Sequence, residues 1–229
     1  MKKSNKLIPY KYFWLSVEGT DAVGKTTLVK KIEAFMKRQK KIKFAILKEF
    51  SNSKVGNLIK QIIDKERFFR LGKVHYPFFE TLLLCADFIY QFEKTLLKYS
   101  KKDKLFIVSD RGPYSFFTYQ LLRIESSYDI RHPNYLKNWL RYIFLPLGMP
   151  NLTILLISSL QDIKKRIEKR EGSITKKDLL FIDRVQKEYL KISERIFYTP
   201  ILVLENRNGK FGKVEQKAIE IIKEILKKF

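Results

Sequence analysis

Residues Gly19-Thr20-Asp21-Ala22-Val23-Gly24-Lys25-Thr26 fit the pattern G-x-x-x-x-G-K-[ST], a loop suited to holding a chain of phosphates. Its glycines let the backbone curl until successive N–H groups converge on phosphate oxygens, and the positive end of a following helix favours their charge. Lys25 is placed to reach the outer phosphates of ATP, the Thr26 hydroxyl is a ligand for Mg²⁺ bridging two of them, and Thr27 carries the chain into the helix. Gly19, Asp21, Ala22, Val23, Gly24, Lys25, Thr26 and Thr27 are therefore the expected ATP-phosphate site. Asp110-Arg111 follows the apolar run LFIVS. A guanidinium at that strand end can fork onto an anionic acceptor and aim it in line with the γ-phosphate. Arg166 and Arg170, four apart, share one face of a predicted helix and are placed to converge on one anion.

These groups need a scaffold, and the apolar pattern supplies one. Strands are predicted at Tyr12–Val17, Ile42–Leu47, Leu105–Ser109, Leu152–Ile157 and Ile201–Leu204, each short and apolar, as strands buried on both faces are. Helical periodicity separates them at Lys25–Lys37, Val55–Asp64, Phe78–Tyr99, Pro113–Arg123, Tyr135–Phe144, Gln161–Arg170, Asp178–Arg195 and Val214–Lys228. This alternation predicts an α/β fold with three layers, α/β/α: a five-stranded parallel sheet with helices on both faces and a helical lid. The polar stretch Lys169–Lys177 is the expected mobile segment.

Bulk properties set the bounds. A chain of 229 residues, 45% hydrophobic, suits a single domain over 1–229 with a lid at about 166–178. The net charge of +23 draws phosphates, nucleic acids or anionic surfaces, but its lysines are scattered over helix faces, which favours a solvated basic surface over a nucleic-acid patch. One cysteine, Cys85, excludes an internal disulfide. With no apolar leader and no apolar run long enough for a bilayer, the expectation is a cytoplasmic protein that does not engage a membrane. Cys85, His75 and His132 carry no assigned chemistry.

A phosphate loop alone does not separate a kinase from a GTPase, a transporter ATPase or a helicase. Here five segments, FWLSVEGTDAVGKTTL, LLLCADFIYQF, IVSDRGPYSFFTYQ, LGMPNLTILLISSLQDIKKRIEKR and DLLFIDRVQKEYLKI, together resemble the thymidylate kinases in order and spacing. The resemblance implies a P-loop kinase that moves the γ-phosphate of ATP to dTMP, with Mg²⁺ and as a homodimer through its long helices. It implies that Asp110 holds the Mg²⁺ hydration shell and Arg111 the acceptor phosphate. Asp21 would lie near the sugar 3′-hydroxyl, and Arg166 and Arg170 would stabilise charge on the transferring group, with Lys176 or Lys177 as helpers. Glu49, Phe50, Leu84, Phe88, Ser115, Tyr119 and Gln120 fall at its acceptor-side positions.

The pattern also departs from that family. Ser51-Asn52-Ser53 replaces Pro-Gly-Gly-Thr, Gly112 replaces a tyrosine, and Leu84 and Phe88 stand where a stacking aromatic and a base-contacting arginine are usual. Base choice is therefore open, and a deoxynucleoside kinase or another (d)NMP kinase is the nearest alternative, with Glu49 as general base if the acceptor is an alcohol. A non-catalytic P-loop protein binding nucleotide or nucleic acid is the alternative from another class.

Overall fold

The computed structural model describes residues 11–65, 76–99, 103–128, 133–193, 199–207 and 209–228; His75 and His132 lie outside them. Strands β1 (Tyr12–Gly19), β2 (Lys43–Leu47), β3 (Leu105–Asp110), β4 (Leu152–Ile157) and β5 (Ile201–Glu205) form a sheet in the order β2-β3-β1-β4-β5. Every neighbouring pair is parallel. The intervening helices are α1 (Lys25–Met36), α2 (Lys54–Lys65), α3 (Pro77–Lys98), α4 (Pro113–Ser115), α5 (Leu121–Ser127), α6 (Pro133–Phe144), α7 (Leu160–Glu171), α8 (Lys176–Ser193) and α9 (Phe211–Lys228).

Side chains alternate across each strand, so the apolar runs feed two cores. Trp14, Leu105, Ile107 and Leu155 point to one face and pack with α2, α3, α5 and α6. Leu15, Val17, Phe106, Val108, Ile154 and Leu156 point to the other and pack with α1, α7 and α9. This is the expected three-layer arrangement. In β1 and β3, Val17 pairs with Asp110, so the phosphate loop and the Asp110-Arg111 pair leave the same carboxyl edge of the sheet.

Two elements differ from the sequence expectation. The helix predicted at Pro113–Arg123 contains a π-helical turn, Phe116–Gln120, between α4 and α5. Thr118 Oγ donates to the carbonyls of Tyr114 (3.0 Å) and Ser115 (3.2 Å), and a hydroxyl that competes for backbone carbonyls favours a widened turn. The polar stretch Lys169–Lys177 holds the last turn of α7, the Gly172 reversal (φ 83°) and the first residues of α8.

Candidate active site

The phosphate loop leaves β1 through Gly19, whose φ is 137° and whose Cβ, if it had one, would lie 2.3 Å from Leu156 O; only glycine fits there. Ala22 also sits at positive φ, 59°. No acidic side chain occupies the first turn of α1, so its positive end is left to an anion. Lys25 is buried and donates to Thr20 O at 2.6 Å, a bond within the loop that a phosphate oxygen can replace. Burial, reinforced by Arg111, holds its pKa below the ordinary lysine value.

Thr26 Oγ donates to Asp110 Oδ2 at 2.7 Å, tying the loop to the end of β3. The other oxygen, Asp110 Oδ1, is buried with no hydrogen-bond partner among the described residues. Buried carboxylate oxygens are costly without a donor. A hydroxyl beside an unsatisfied carboxylate is the oxygen-only donor set that suits Mg²⁺ and its waters. Among the described residues no cluster of three His, Cys, Asp or Glu offers a protein cage instead.

Arg111, expected on the acceptor side, is the centre of a second cluster. Its backbone is left-handed (φ 71°), a conformation uncommon outside glycine that persists where surroundings fix it. Nε donates to Glu49 Oε1 and Nη2 to Asp21 Oδ1, both at 2.5 Å, and Nη1 donates to Gly19 O at 3.0 Å. The guanidinium also lies over the Tyr119 ring, 4.9 Å from its centroid. Burial opposes its charge, but the carboxylates of Glu49 and Asp21 overrule burial and raise its pKa. Burial likewise opposes the charge of Asp21, yet Arg111, then Lys25 and Arg170, hold its carboxyl below the usual range.

Behind Arg111 lies a group the sequence reading missed. Glu18 is fully buried and accepts from Ser115 Oγ (2.6 Å), Tyr189 Oη (3.2 Å) and Ser16 Oγ (3.3 Å). Burial raises its pKa despite those bonds and the nearby Arg111. Gly112 makes room for this cluster: a Cβ there would stand 2.6 Å from Ser16 Oγ. The replacement of the family's tyrosine thus has a local cause.

The loop after β2 is clamped to α3 by a second missed carboxylate. Asp87 accepts from Ser51 N and Ser53 Oγ, each at 2.8 Å, and from Ser51 Oγ. Here Ser51 and Ser53 supply the anchoring, and the clamp presents Glu49 and Phe50 to a cavity of about 730 Å³. Leu84, Phe88, Ser115, Tyr119 and Gln120 also line that cavity, so the acceptor-side residues are brought together. Phe88 is at once core, packed between Trp14 and Phe116 with ring centroids 5.8 and 6.0 Å away. Tyr119 Oη is buried without a hydrogen-bond partner among the described residues, an orphan suited to a ligand.

The two lid arginines do not converge. Arg166 donates to Ala22 O (3.1 Å), Ser158 Oγ (3.2 Å) and Asn206 O (3.0 Å), supporting the phosphate loop from behind. Asn206 itself donates to Val23 O at 2.8 Å. Arg170 is exposed, pairs with Glu171 and reaches the cavity wall. The two share one helix, but carbonyls of Ala22 and Asn206 captured one guanidinium and the Glu171 carboxylate the other. Lys176 and Lys177 are exposed at the start of α8.

A phosphate loop joined through Thr26 to Asp110, facing an arginine beside an acceptor cavity, defines a P-loop phosphotransferase. Residues 17–217 match the family model described as thymidylate kinase. The probable thymidylate kinase of Pyrococcus horikoshii is 30% identical over 184 residues, 80% of this chain and 83% of the relative. The thymidylate kinase of Mycoplasmopsis agalactiae is 26% identical over 221 residues, 94% and 93% of the two chains. The solved structure of thymidylate kinase from Candida albicans superposes with a TM-score of 0.65 at 18% identity, covering 93% of this chain and 92% of the other, which shows a common fold. The chain belongs to the thymidylate kinase family.

Proposed function

We propose that this protein transfers the γ-phosphate of ATP to the 5′-phosphate of dTMP, giving dTDP and ADP. The observation that carries the reading is Arg111, fixed by Asp21 and Glu49 at 2.5 Å each, at the junction of the phosphate loop and the cavity. Phosphoryl transfer needs little beyond alignment and stabilisation of charge on the moving group. The loop amides and Lys25 hold the donor's phosphates. Arg111 presents the acceptor phosphate, Ser115 and Tyr119 contact its near side, and Asp21 faces the sugar. Arg170 enters from the lid, taken as residues 166–178 of a single domain, and Arg166 keeps the loop in shape. Thr26 and Asp110 would hold Mg²⁺, which would supply charge neutralisation across the phosphates.

A monophosphate acceptor is already an anion and needs no general base, consistent with Glu49 being engaged by Arg111. The homodimer expected from the long helices finds support in α3, where Phe79, Leu82, Tyr90 and Leu97 are exposed. We read the protein as cytoplasmic on its single buried cysteine, to be checked by cell fractionation; no helix among the described residues is long and apolar enough to cross a membrane. The deciding experiment is a phosphoryl-transfer panel with ATP and Mg²⁺ against nucleosides and nucleoside monophosphates, with Lys25→Ala as the control. ADP formation with dTMP, lost in the control, is expected. Turnover with nucleosides alone would reassign the acceptor, and a flat response across the panel would remove the kinase reading.

A further inference from the structure

We propose that Tyr189 is a positioning residue for phosphoryl transfer: its hydroxyl, reaching in from α8, fixes Ser115 against Glu18 and thereby pins the turn that carries Arg111. The inference rests on the reaction proposed above, with Arg111 on the acceptor phosphate.

The turn needs a pin. Arg111 leaves β3 with φ 71°, a conformation that lasts only where its surroundings hold it. Glu49 and Asp21 hold the tip of its side chain, and the Glu18 cluster lies against the backbone just beyond. Ser16 Oγ and Glu18 Oε1 stand 2.6 and 3.3 Å from where a Cβ on Gly112 would be. Ser115 N donates to Gly112 O at 3.1 Å, so Ser115 closes the turn. Its hydroxyl is the point at which three elements meet: Glu18 comes from β1, Ser115 from α4 and Tyr189 from α8.

The protons give the cluster a direction. Ser115 has one hydroxyl hydrogen and donates it to Glu18 Oε2 at 2.6 Å. The Tyr189 hydrogen lies between Ser115 Oγ at 2.7 Å and Glu18 Oε2 at 3.2 Å, and the shorter contact takes it. That leaves Ser115 a lone pair for Arg111 Nη1, 3.5 Å away. Hydrogen bonds in such a chain strengthen one another where water is excluded; Tyr189 is 2% exposed and Glu18 is fully buried. Docking of α8 does not require the hydroxyl, because Ile182, Val185 and Ile192 already bury that helix in the two cores. The Tyr189 ring also meets Tyr119, with centroids 6.4 Å apart, and Tyr119 in turn lies under the Arg111 guanidinium. Phenylalanine keeps that ring contact, so the hydroxyl can be removed by itself.

The test measures kcat and KM for dTMP and for ATP in the wild type, Tyr189→Phe, Ser115→Ala, the double variant and Tyr12→Phe, each with its Tm. Tyr12 Oη donates to Leu147 O at 2.6 Å at the opposite end of β1, so Tyr12→Phe removes a bonded tyrosine hydroxyl away from the site. Tyr189→Phe is expected to lower kcat/KM for dTMP about tenfold, with KM for ATP within about twofold, because a slightly displaced guanidinium misaligns the acceptor. Tyr12→Phe is expected to lower Tm without that loss. Beside Ser115→Ala, the same Tyr189→Phe change is expected to cost less than about twofold more, because its route to Arg111 is already gone. The proposal is overturned if Tyr189→Phe lowers Tm alone, if it weakens the use of ATP and dTMP equally, or if its cost is undiminished beside Ser115→Ala. A wild type that binds Mg-ATP but does not turn over dTMP overturns the parent reading, and this one with it.

Discussion

Replacing Arg111 with lysine keeps the charge and removes the fork. In the structure Nε and Nη2 each engage a carboxylate at 2.5 Å, and the plane lies over Tyr119. An ammonium can face one of those partners but has neither the second parallel donor nor the flat surface. With Nε and one Nη2 hydrogen held by the carboxylates, an acceptor phosphate would recruit the remaining Nη hydrogens, which lysine lacks. Hydrogen bonds to charged partners contribute about 1.5–3 kcal/mol each, so losing two from the transition state costs about 3–6 kcal/mol. That corresponds to about a 10²- to 10⁴-fold fall in kcat/KM for dTMP. Initial rates of ADP release, taken with dTMP and then ATP as the varied substrate, separate this from general damage: KM for ATP should stay within about threefold, because Lys25 and the loop amides are kept and Arg111 meets the loop only through Gly19 O and Asp21. An Arg111→Lys enzyme that keeps kcat/KM for dTMP within about tenfold of wild type would refute the idea that bidentate geometry at this point matters.

Two other expectations follow. Glu18 has its carboxyl pKa raised by burial above the ordinary 4.5, so the folded state holds that proton more tightly than the unfolded chain. Stability from this group is full below pH 4.5 and is lost as pH rises through its folded value; Glu18→Gln should therefore flatten the Tm-versus-pH curve above that point, and an unchanged slope would count against a raised Glu18. The exposed apolar stripe of α3 should mediate self-association: sedimentation velocity is expected to give a dimer for wild type and a monomer for Leu82→Glu, which sits on that stripe at 46% exposure, whereas a wild-type monomer removes the homodimer.

Much of the scaffold was legible because its signals are local. Short apolar runs between helical periods marked all five strands, and β4 begins and ends where its run does, at Leu152 and Ile157. The phosphate loop was legible for the same reason: its chemistry is contiguous, from Gly19 to Thr27. What escaped depends on distant partners. Glu18 falls just past the predicted strand Tyr12–Val17 and carries no local signal until Ser115 and Tyr189, 97 and 171 positions away, arrive beside it. Asp87 lies on an apolar helix, and nothing nearby in sequence announces that Ser51 and Ser53 will close on it. Arg166 and Arg170 lie four apart on one helix, as their spacing predicts, but the spacing does not specify a target. Carbonyls of Ala22 and Asn206, brought by two other segments, took Arg166. The π turn was hidden because the apolar pattern through Phe116–Gln120 suits an α-helix equally well.

That widened turn has an effect on how the cavity can change. It accommodates one residue more than an α-turn, so the side chains beyond it are offset by one residue, about 100° around the helix axis, from an uninterrupted α-helix. Arg111 is anchored to β3 upstream of that offset, while Gln120 ends the turn and Arg123 follows it. A deletion of a single residue within Phe116–Gln120 would rotate a different set of side chains into the far wall and leave the phosphate grip where it is. The two halves of the acceptor site can thus drift separately, one held by the sheet and the other set by a count of residues.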